Sequence, residues 1–142
     1  VLGVTEKTLR DHYQIRAVLE GYACVLCVET GADLSALQNC LKVSEEMIAS
    51  GDSSRYSDMN QSFHYEIWNA SGNEKLVTML SELWNGLSMG VQTTEMEYAK
   101  KSFVEHKKIY EAIAAKDAET ARAQMEKHIR RSLEDMLTRY RE

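Results

Sequence analysis

The chain has 142 residues, a length typical of one domain, and its 44% hydrophobic and 27% charged residues exclude the composition of a disordered chain. Its 17 basic and 22 acidic residues give a net charge of −5, which excludes a general electrostatic attraction to nucleic acid or anionic lipid. The longest apolar run, residues 23–28, is too short to span a membrane, and three cysteines suit a reducing compartment, so we expect a cytoplasmic protein.

Helical periodicity runs through the whole chain. There is no proline, and no segment alternates with the two-residue period of a half-buried strand. Apolar residues recur at helical spacings in residues 5–30, 33–50, 53–70, 74 onward, 102–115 and 117–140. Asp33 is placed to cap the second helix, and Gly86 and Gly90 mark points where the fourth can kink. We therefore predict an all-α fold, a single antiparallel bundle of about six to seven helices, with residues 1–142 as one domain.

The last two predicted helices form an antiparallel hairpin with its corner at Asp117. His106 and His128 are equally distant from this corner in sequence, so they should lie at the same height on facing helices. Each interrupts the apolar stripe of its own helix. His64 lies on the inward face of the third helix, four residues after Asn60 and on the same side. We therefore expect these side chains to meet in the bundle core.

Imidazoles that converge inside a helical bundle are a ligand set for a divalent transition metal. His64, His106 and His128, with the side-chain oxygen of Asn60, form a candidate site for Zn or Ni, with Mn and Fe also compatible. Asparagine is a poor metal ligand, and Asn60 can equally be a hydrogen-bonding residue. Core histidines are often hydrogen-bonded packing residues too, so a metal-free core stays open at this point.

The remaining polar and sulfur-containing residues of the first helix have simpler interpretations. Arg16 and Glu20 lie four residues apart, so they can form a structural ion pair, which we favour, or Arg16 can hold an anion in a cavity. Cys24 and Cys27 lie in a strongly apolar segment and are expected to be small core residues. His12 shares no stripe with the other histidines, and we expect it to be exposed.

Four stretches of the chain carry a family resemblance. They are IRAVLEGYA at 15–23, NQSFH at 60–64 with NASGN at 69–73, EHKKIYEAI at 105–113 with DAE at 117–119, and ARAQMEKHI at 121–129. In this order they resemble the C-terminal effector-binding domain of GntR-type transcription regulators, in the FadR-like subfamily known as FCD. The resemblance extends over residues 11–140.

The resemblance implies a helical bundle that binds a small organic acid and contributes to a homodimer. DNA would be read by a separate N-terminal winged helix-turn-helix domain, which residues 1–142 do not include. In metal-binding members an aspartate and three histidines hold a divalent cation, whose coordination the effector's carboxylate can complete. The histidine positions correspond to His64, His106 and His128, the aspartate position falls on Asn60, and Arg16 matches a family arginine that can face the ligand. Asn60 removes one negative charge, so metal affinity falls, the three histidines alone hold the ion, or the acid supplies the missing charge.

Three functions are consistent with these features. The first is a sensory module in which a small carboxylate binds next to the metal and shifts the helix arrangement. The second is a metal-dependent hydrolase, which needs a general base near the metal. Since Glu66 and Glu105 are predicted on other helix faces, we expect no enzyme and no catalytic residue. The third is a structural bundle without metal.

Overall fold

The computed structural model describes residues 5–85 and 96–141, with side chains described as far as residue 138. The all-α prediction is confirmed, since the described residues form helices joined by short turns and contain no strand. The helices are α1 Glu6–Thr30, α2 Ser35–Ser50, α3 Tyr56–Ala70, α4 Glu74–Asn85, α5 Met96–Ala114 and α6 Ala118–Arg141. Gly86 and Gly90, the predicted kink points, lie outside the described residues.

The most extensive helix pair is α1 with α6. α1 begins where the Thr5 side chain accepts a hydrogen bond from the Thr8 backbone N–H, and it ends at Gly31 in the left-handed conformation (φ 64°). Midway along α1, a Cβ built on Gly21 would lie 2.9 Å from the Cγ of Arg122 on α6. A glycine at this position therefore allows the two helices to approach closely.

Three helices start at residues other than those predicted from the sequence. α2 starts at Ser35, and Asp33 accepts hydrogen bonds from the Ser35 backbone and hydroxyl without being the residue that directly precedes the helix. α3 starts at Tyr56 because residues 53–55 form a turn. α5 starts at Met96, six residues before the predicted position, since Tyr98 and Ala99 pack against Tyr56 in a small second core cluster.

The predicted hairpin between α5 and α6 is present. Lys116 turns the chain with a positive φ of 60°, and the Asp117 carboxylate accepts a hydrogen bond from the Thr120 backbone N–H at the start of α6. The hairpin brings the middle of α5 against the middle of α6. No helix in the described parts of the chain combines the length and apolarity that crossing a bilayer requires.

Candidate metal centre

Three histidines from three helices meet in the bundle core. His64 is on α3, His106 on α5 and His128 on α6, and each is at most 2% exposed. The Nε2 atom of His128 lies 3.2 Å from Nε2 of His106 and 3.3 Å from Nε2 of His64. One nitrogen of each ring falls within 4.8 Å of the other two. The structure thus brings together the histidines that the stripe and hairpin arguments selected.

Two of these histidines form hydrogen bonds with carboxylates through Nδ1. The His64 Nδ1–H donates to Oε1 of Glu20 at 2.7 Å, and the His128 Nδ1–H donates to Oε1 of Glu105 at 2.5 Å. A carboxylate on one ring nitrogen fixes the tautomer and leaves the other nitrogen with its lone pair available to a metal. Both Nε2 lone pairs therefore face the centre of the cluster.

The electrostatics keep both carboxylates ionised. Burial opposes ionisation of Glu20, but the charges of His64 and Arg16 and the hydrogen bonds from His64 and Trp68 outweigh it, and the pKa of Glu20 lies well below its ordinary value. Burial also opposes ionisation of Glu105, and hydrogen bonds from His128 and Arg131 lower its pKa in the same way. Each anion therefore remains an acceptor for its histidine at neutral pH.

The Nε2 atoms of His64 and His128 lie 3.3 Å apart, and each ring has its Nδ1 at a carboxylate. Burial, with the neighbouring charges of His64 and Arg131, lowers the pKa of His128 to about 4 despite Glu105, so the His128 ring is neutral at neutral pH. Converging, unprotonated imidazole nitrogens are a ligand set for a divalent cation. The residues present fit a metal.

His106 has a different environment. Its ring stacks on Phe63 with centroids 4.0 Å apart and planes 9° from parallel, and its Nε2 lies 3.4 Å from the Ser102 hydroxyl. Ser102 in turn accepts a hydrogen bond from the buried hydroxyl of Tyr56 at 2.8 Å. Burial and the charges of His128 and His64 lower the pKa of His106 well below its ordinary value, so this ring is neutral. Packing, rather than a carboxylate within the described residues, fixes its orientation.

The fourth predicted ligand, Asn60, lies one helical turn before His64 on α3. Its side-chain oxygen is buried and accepts no hydrogen bond from the described part of the chain. A buried amide oxygen without a donor is costly, and such an atom calls for an explanation such as an ion or a ligand. Asn60 thus offers an oxygen but, unlike an aspartate, no charge.

Arg16 forms the structural ion pair with Glu20 that we favoured from the sequence. Its Nε donates to Oε2 of Glu20 at 2.7 Å, and both side chains are buried, at 6% and 0% exposure. Its guanidinium carbon also lies 4.6 Å from the ring centroid of Trp84, a cation–π distance. Because Glu20 bonds to both Arg16 and His64, Arg16 is one residue removed from the histidine cluster.

Glu105 contacts the histidine cluster although the sequence places it on another helix face from His106. The side chains of Glu105 and His106 leave α5 in different directions. The Glu105 side chain is nevertheless long enough to reach α6, where it bonds to His128 and to Arg131 Nε at 2.5 Å. Arg131 also bonds to Asp135. The sequence did contain a signal for this contact, namely a carboxylate on α5 and a basic residue three positions after His128. Assigning residues to helix faces did not reveal it.

Two smaller expectations had different outcomes. Cys24 and Cys27 are buried free thiols whose pKa values are raised by burial, which confirms them as core residues. His12, expected to be exposed, is half-buried, with its ring edge against Tyr13 at a centroid distance of 5.4 Å. It lies outside the three-histidine cluster.

The sequence pattern of the FCD domain matches residues 11–131. The chain belongs to the FCD domain family. It is 32% identical over 148 residues to the HTH-type transcriptional regulator LutR of Bacillus subtilis (strain 168), an alignment that includes 95% of this FCD domain. The chain spans 64% of the length of LutR. The family resemblance found in the sequence is therefore confirmed.

Solved structures share the fold. E. coli McbR/YncC superimposes with a TM-score of 0.82 at 24% identity, covering 96% of this chain and 68% of that one. The metal-free FCD domain of TM0439 superimposes with a TM-score of 0.77 at 21% identity, covering 92% of both chains. At these identities the likeness establishes the all-α FCD bundle, and the metal content of this chain has to be argued from its own residues.

Proposed function

We propose that this FCD domain is the ligand-sensing part of a transcriptional regulator, and that it binds a small organic acid next to a divalent metal in its core. The observation that carries the proposal is the convergence of three Nε2 atoms with Glu20 and Glu105 behind two of the rings. Histidines that only pack in a core need no such arrangement, because each ring nitrogen can find its own polar partner without the rings converging. The same arrangement favours a metal over the purely structural bundle.

His64, His106 and His128 would hold the metal, with the Asn60 oxygen as a weak fourth donor. The ligand set suits Zn or Ni, and Mn less well, because imidazole is a better ligand for the first two. The bound metal would supply a Lewis-acidic positive centre for a carboxylate. Glu20 and Glu105 orient two of the rings, and Phe63 supports the third.

The charges near the histidines favour an anionic ligand. No carboxylate belongs to the converging ligand set within the described residues, because both nearby carboxylates bond to the Nδ1 side of a ring. Three neutral imidazoles and an amide leave the full charge of a divalent metal uncompensated, which is expensive in a buried site. A small carboxylate would supply the missing charge, with Arg16 close to the site through its bond to Glu20.

We infer that signalling follows the usual thermodynamics of coupled sites. The acid would favour one arrangement of the bundle, and a DNA-reading winged helix-turn-helix domain outside these 142 residues would respond. The protein would act as a cytoplasmic homodimer of the GntR type. The relationship to LutR, named as a transcriptional regulator, supports this role.

The hydrolase alternative is not favoured. A hydrolytic metal site needs a general base that is free to take a proton from bound water. Glu20 already accepts from His64, Arg16 and Trp68, and Glu105 already accepts from His128 and Arg131. These carboxylates position other residues, so we propose a binding function without catalysis.

The test is metal content by elemental mass spectrometry after incubation with Zn or Ni and removal of free metal. The wild type should retain near-stoichiometric metal, and His128→Ala should lose it. His12→Ala is the matched control, since it removes a histidine outside the cluster and should keep the metal. Circular dichroism of each variant reports folding. Absence of metal in the folded wild type, or equal retention by folded His128→Ala, would refute the proposed site.

Small carboxylates should then raise the melting temperature of the metal-loaded wild type, because a ligand that binds the native state stabilises it. The same acids should have little effect on folded His128→Ala. An acid-induced shift of equal size in the two proteins would show that the acid binds without the metal.

A further inference from the structure

We propose a second small-molecule site, separate from the three histidines, in the groove between α2, α3 and α4. Its ligand class is an organic cation with an aromatic body. The groove has a volume of about 630 Å³, within the range of small-molecule sites. One helix face forms each wall, carrying Cys40 and Val43 on α2, Tyr65 and Glu66 on α3, and Trp84 on α4.

The charge of the groove selects the sign of the ligand. Glu66 is the single charged residue among the described residues that line it, and the other polar lining side chains are amides and hydroxyls. No described Lys, Arg or His forms an ion pair with Glu66. A partly buried carboxylate without a basic partner favours a cation and disfavours an acid. The groove is therefore unsuited to the carboxylate proposed for the metal centre.

The aromatic residues of the groove indicate the body of the ligand. Trp68, Trp84 and Tyr65 all contribute to the lining. Indole and phenol faces attract cations and pack well against flat rings. An arylalkyl ammonium ion combines both properties, because its ring can pack on these residues while its ammonium group pairs with Glu66.

The two tryptophans of the groove differ in their hydrogen bonding. Trp68 Nε1 donates to Glu20 at 2.8 Å, whereas Trp84, 5% exposed, has a buried Nε1 with no acceptor among the described residues. The Trp84 ring also lies 5.3 Å from the ring of His64. Trp84 therefore separates the groove from the metal centre and can report on both.

The experiment compares benzylamine, benzyl alcohol and benzoate, which share one ring and carry positive, zero and negative charge. Each is titrated into the wild-type 142-residue chain at neutral pH, with a chelator present so that no metal recruits benzoate to the histidines, and tryptophan fluorescence gives the dissociation constant. Benzylamine should bind about fivefold or more tighter than benzyl alcohol, and benzoate should bind most weakly. In Glu66→Gln the preference for benzylamine should disappear.

Two control variants keep the result interpretable. Glu46→Gln removes an exposed carboxylate from α2 outside the groove and should leave the preference for benzylamine unchanged. His128→Ala should also bind benzylamine normally, because the groove does not use the histidines. Failure of all three compounds to bind, equal binding of benzylamine and benzyl alcohol, or a preference that survives Glu66→Gln would overturn the proposal, whatever the metal content proves to be.

Discussion

Two carboxylates perform the same task on opposite sides of the histidine cluster, in very different surroundings. Glu20 on α1 is fully buried and bonds to His64, Arg16 and Trp68. Glu105 on α5 is 24% exposed and bonds to His128 and Arg131. Arg131 continues this chain of ion pairs to Asp135, near the surface. The comparison shows that one histidine can be fixed by the core and another by residues within reach of solvent.

This difference predicts that Glu20 and Glu105 contribute unequally to folding stability and to metal binding. The Glu20 network is almost completely buried, so the loss of Glu20 would leave a charged guanidinium in the core. The Glu105 network is partly solvated, so water can replace a lost partner. We expect Glu20 to matter mainly for folding, and Glu105 mainly for metal affinity.

The largest effect should come from Glu20→Ala. Removing this carboxylate breaks a buried ion pair and two further buried hydrogen bonds, so the metal-free protein should lose about 3–5 kcal/mol of unfolding free energy. Glu105→Ala is the matched comparison and should cost about 1 kcal/mol or less. Urea unfolding monitored by circular dichroism, with a chelator present, measures both. Equal losses of unfolding free energy in the two variants would show that Glu20 and Glu105 contribute equally to stability.

A second effect concerns metal affinity. Glu105→Gln keeps the size of the side chain but removes the anion behind His128, and carboxylate partners of ligating histidines typically contribute about 10–100-fold in affinity. We therefore expect Zn or Ni to bind about 10–100-fold more weakly, as measured by competition with a chromogenic chelator. Glu111→Gln, an exposed change on the same helix, should bind as the wild type does. If both variants bound metal equally well, Glu105 would have no orienting role.

A smaller effect, opposite in sign, is expected at Asn60. Asn60→Asp places an anion where an uncharged and unpaired oxygen is now buried, so metal affinity should rise about tenfold. The same variant should be less stable without metal, because a buried carboxylate without a partner is costly. Asn69→Asp, exposed on the same helix, controls for charge alone. Unchanged affinity in Asn60→Asp would place Asn60 outside the metal's reach.

Some of the site followed from the sequence because short-range geometry determines it. The closeness of His106 and His128 depends only on a hairpin whose corner lies at Asp117, and the Nε2 atoms of these histidines are 3.2 Å apart. Helical periodicity likewise placed His64 inward, and the stretch from residue 15 to residue 23 carried the family resemblance. These inferences need the register of one helix or of two consecutive helices.

Other parts depend on packing between helices distant in the chain. Glu20 and His64 are 44 residues apart, so no local pattern showed that they share a hydrogen bond. The contact of Glu105 with His128 was missed because a flexible side chain can reach a partner that its Cβ direction does not indicate. The early start of α5 was missed for a similar reason, since Tyr56 stabilises it from another helix.

The most direct test of the central claim is X-ray absorption spectroscopy at the metal edge of the Zn-loaded wild-type protein. The account predicts nitrogen or oxygen ligands at about 2.0–2.1 Å, with the multiple-scattering pattern of three imidazole rings from His64, His106 and His128. Sulfur at about 2.3 Å would assign the metal to the cysteines, and a shell without imidazole scattering would assign it to surface carboxylates. Either result would contradict a metal centre formed by the three buried histidines.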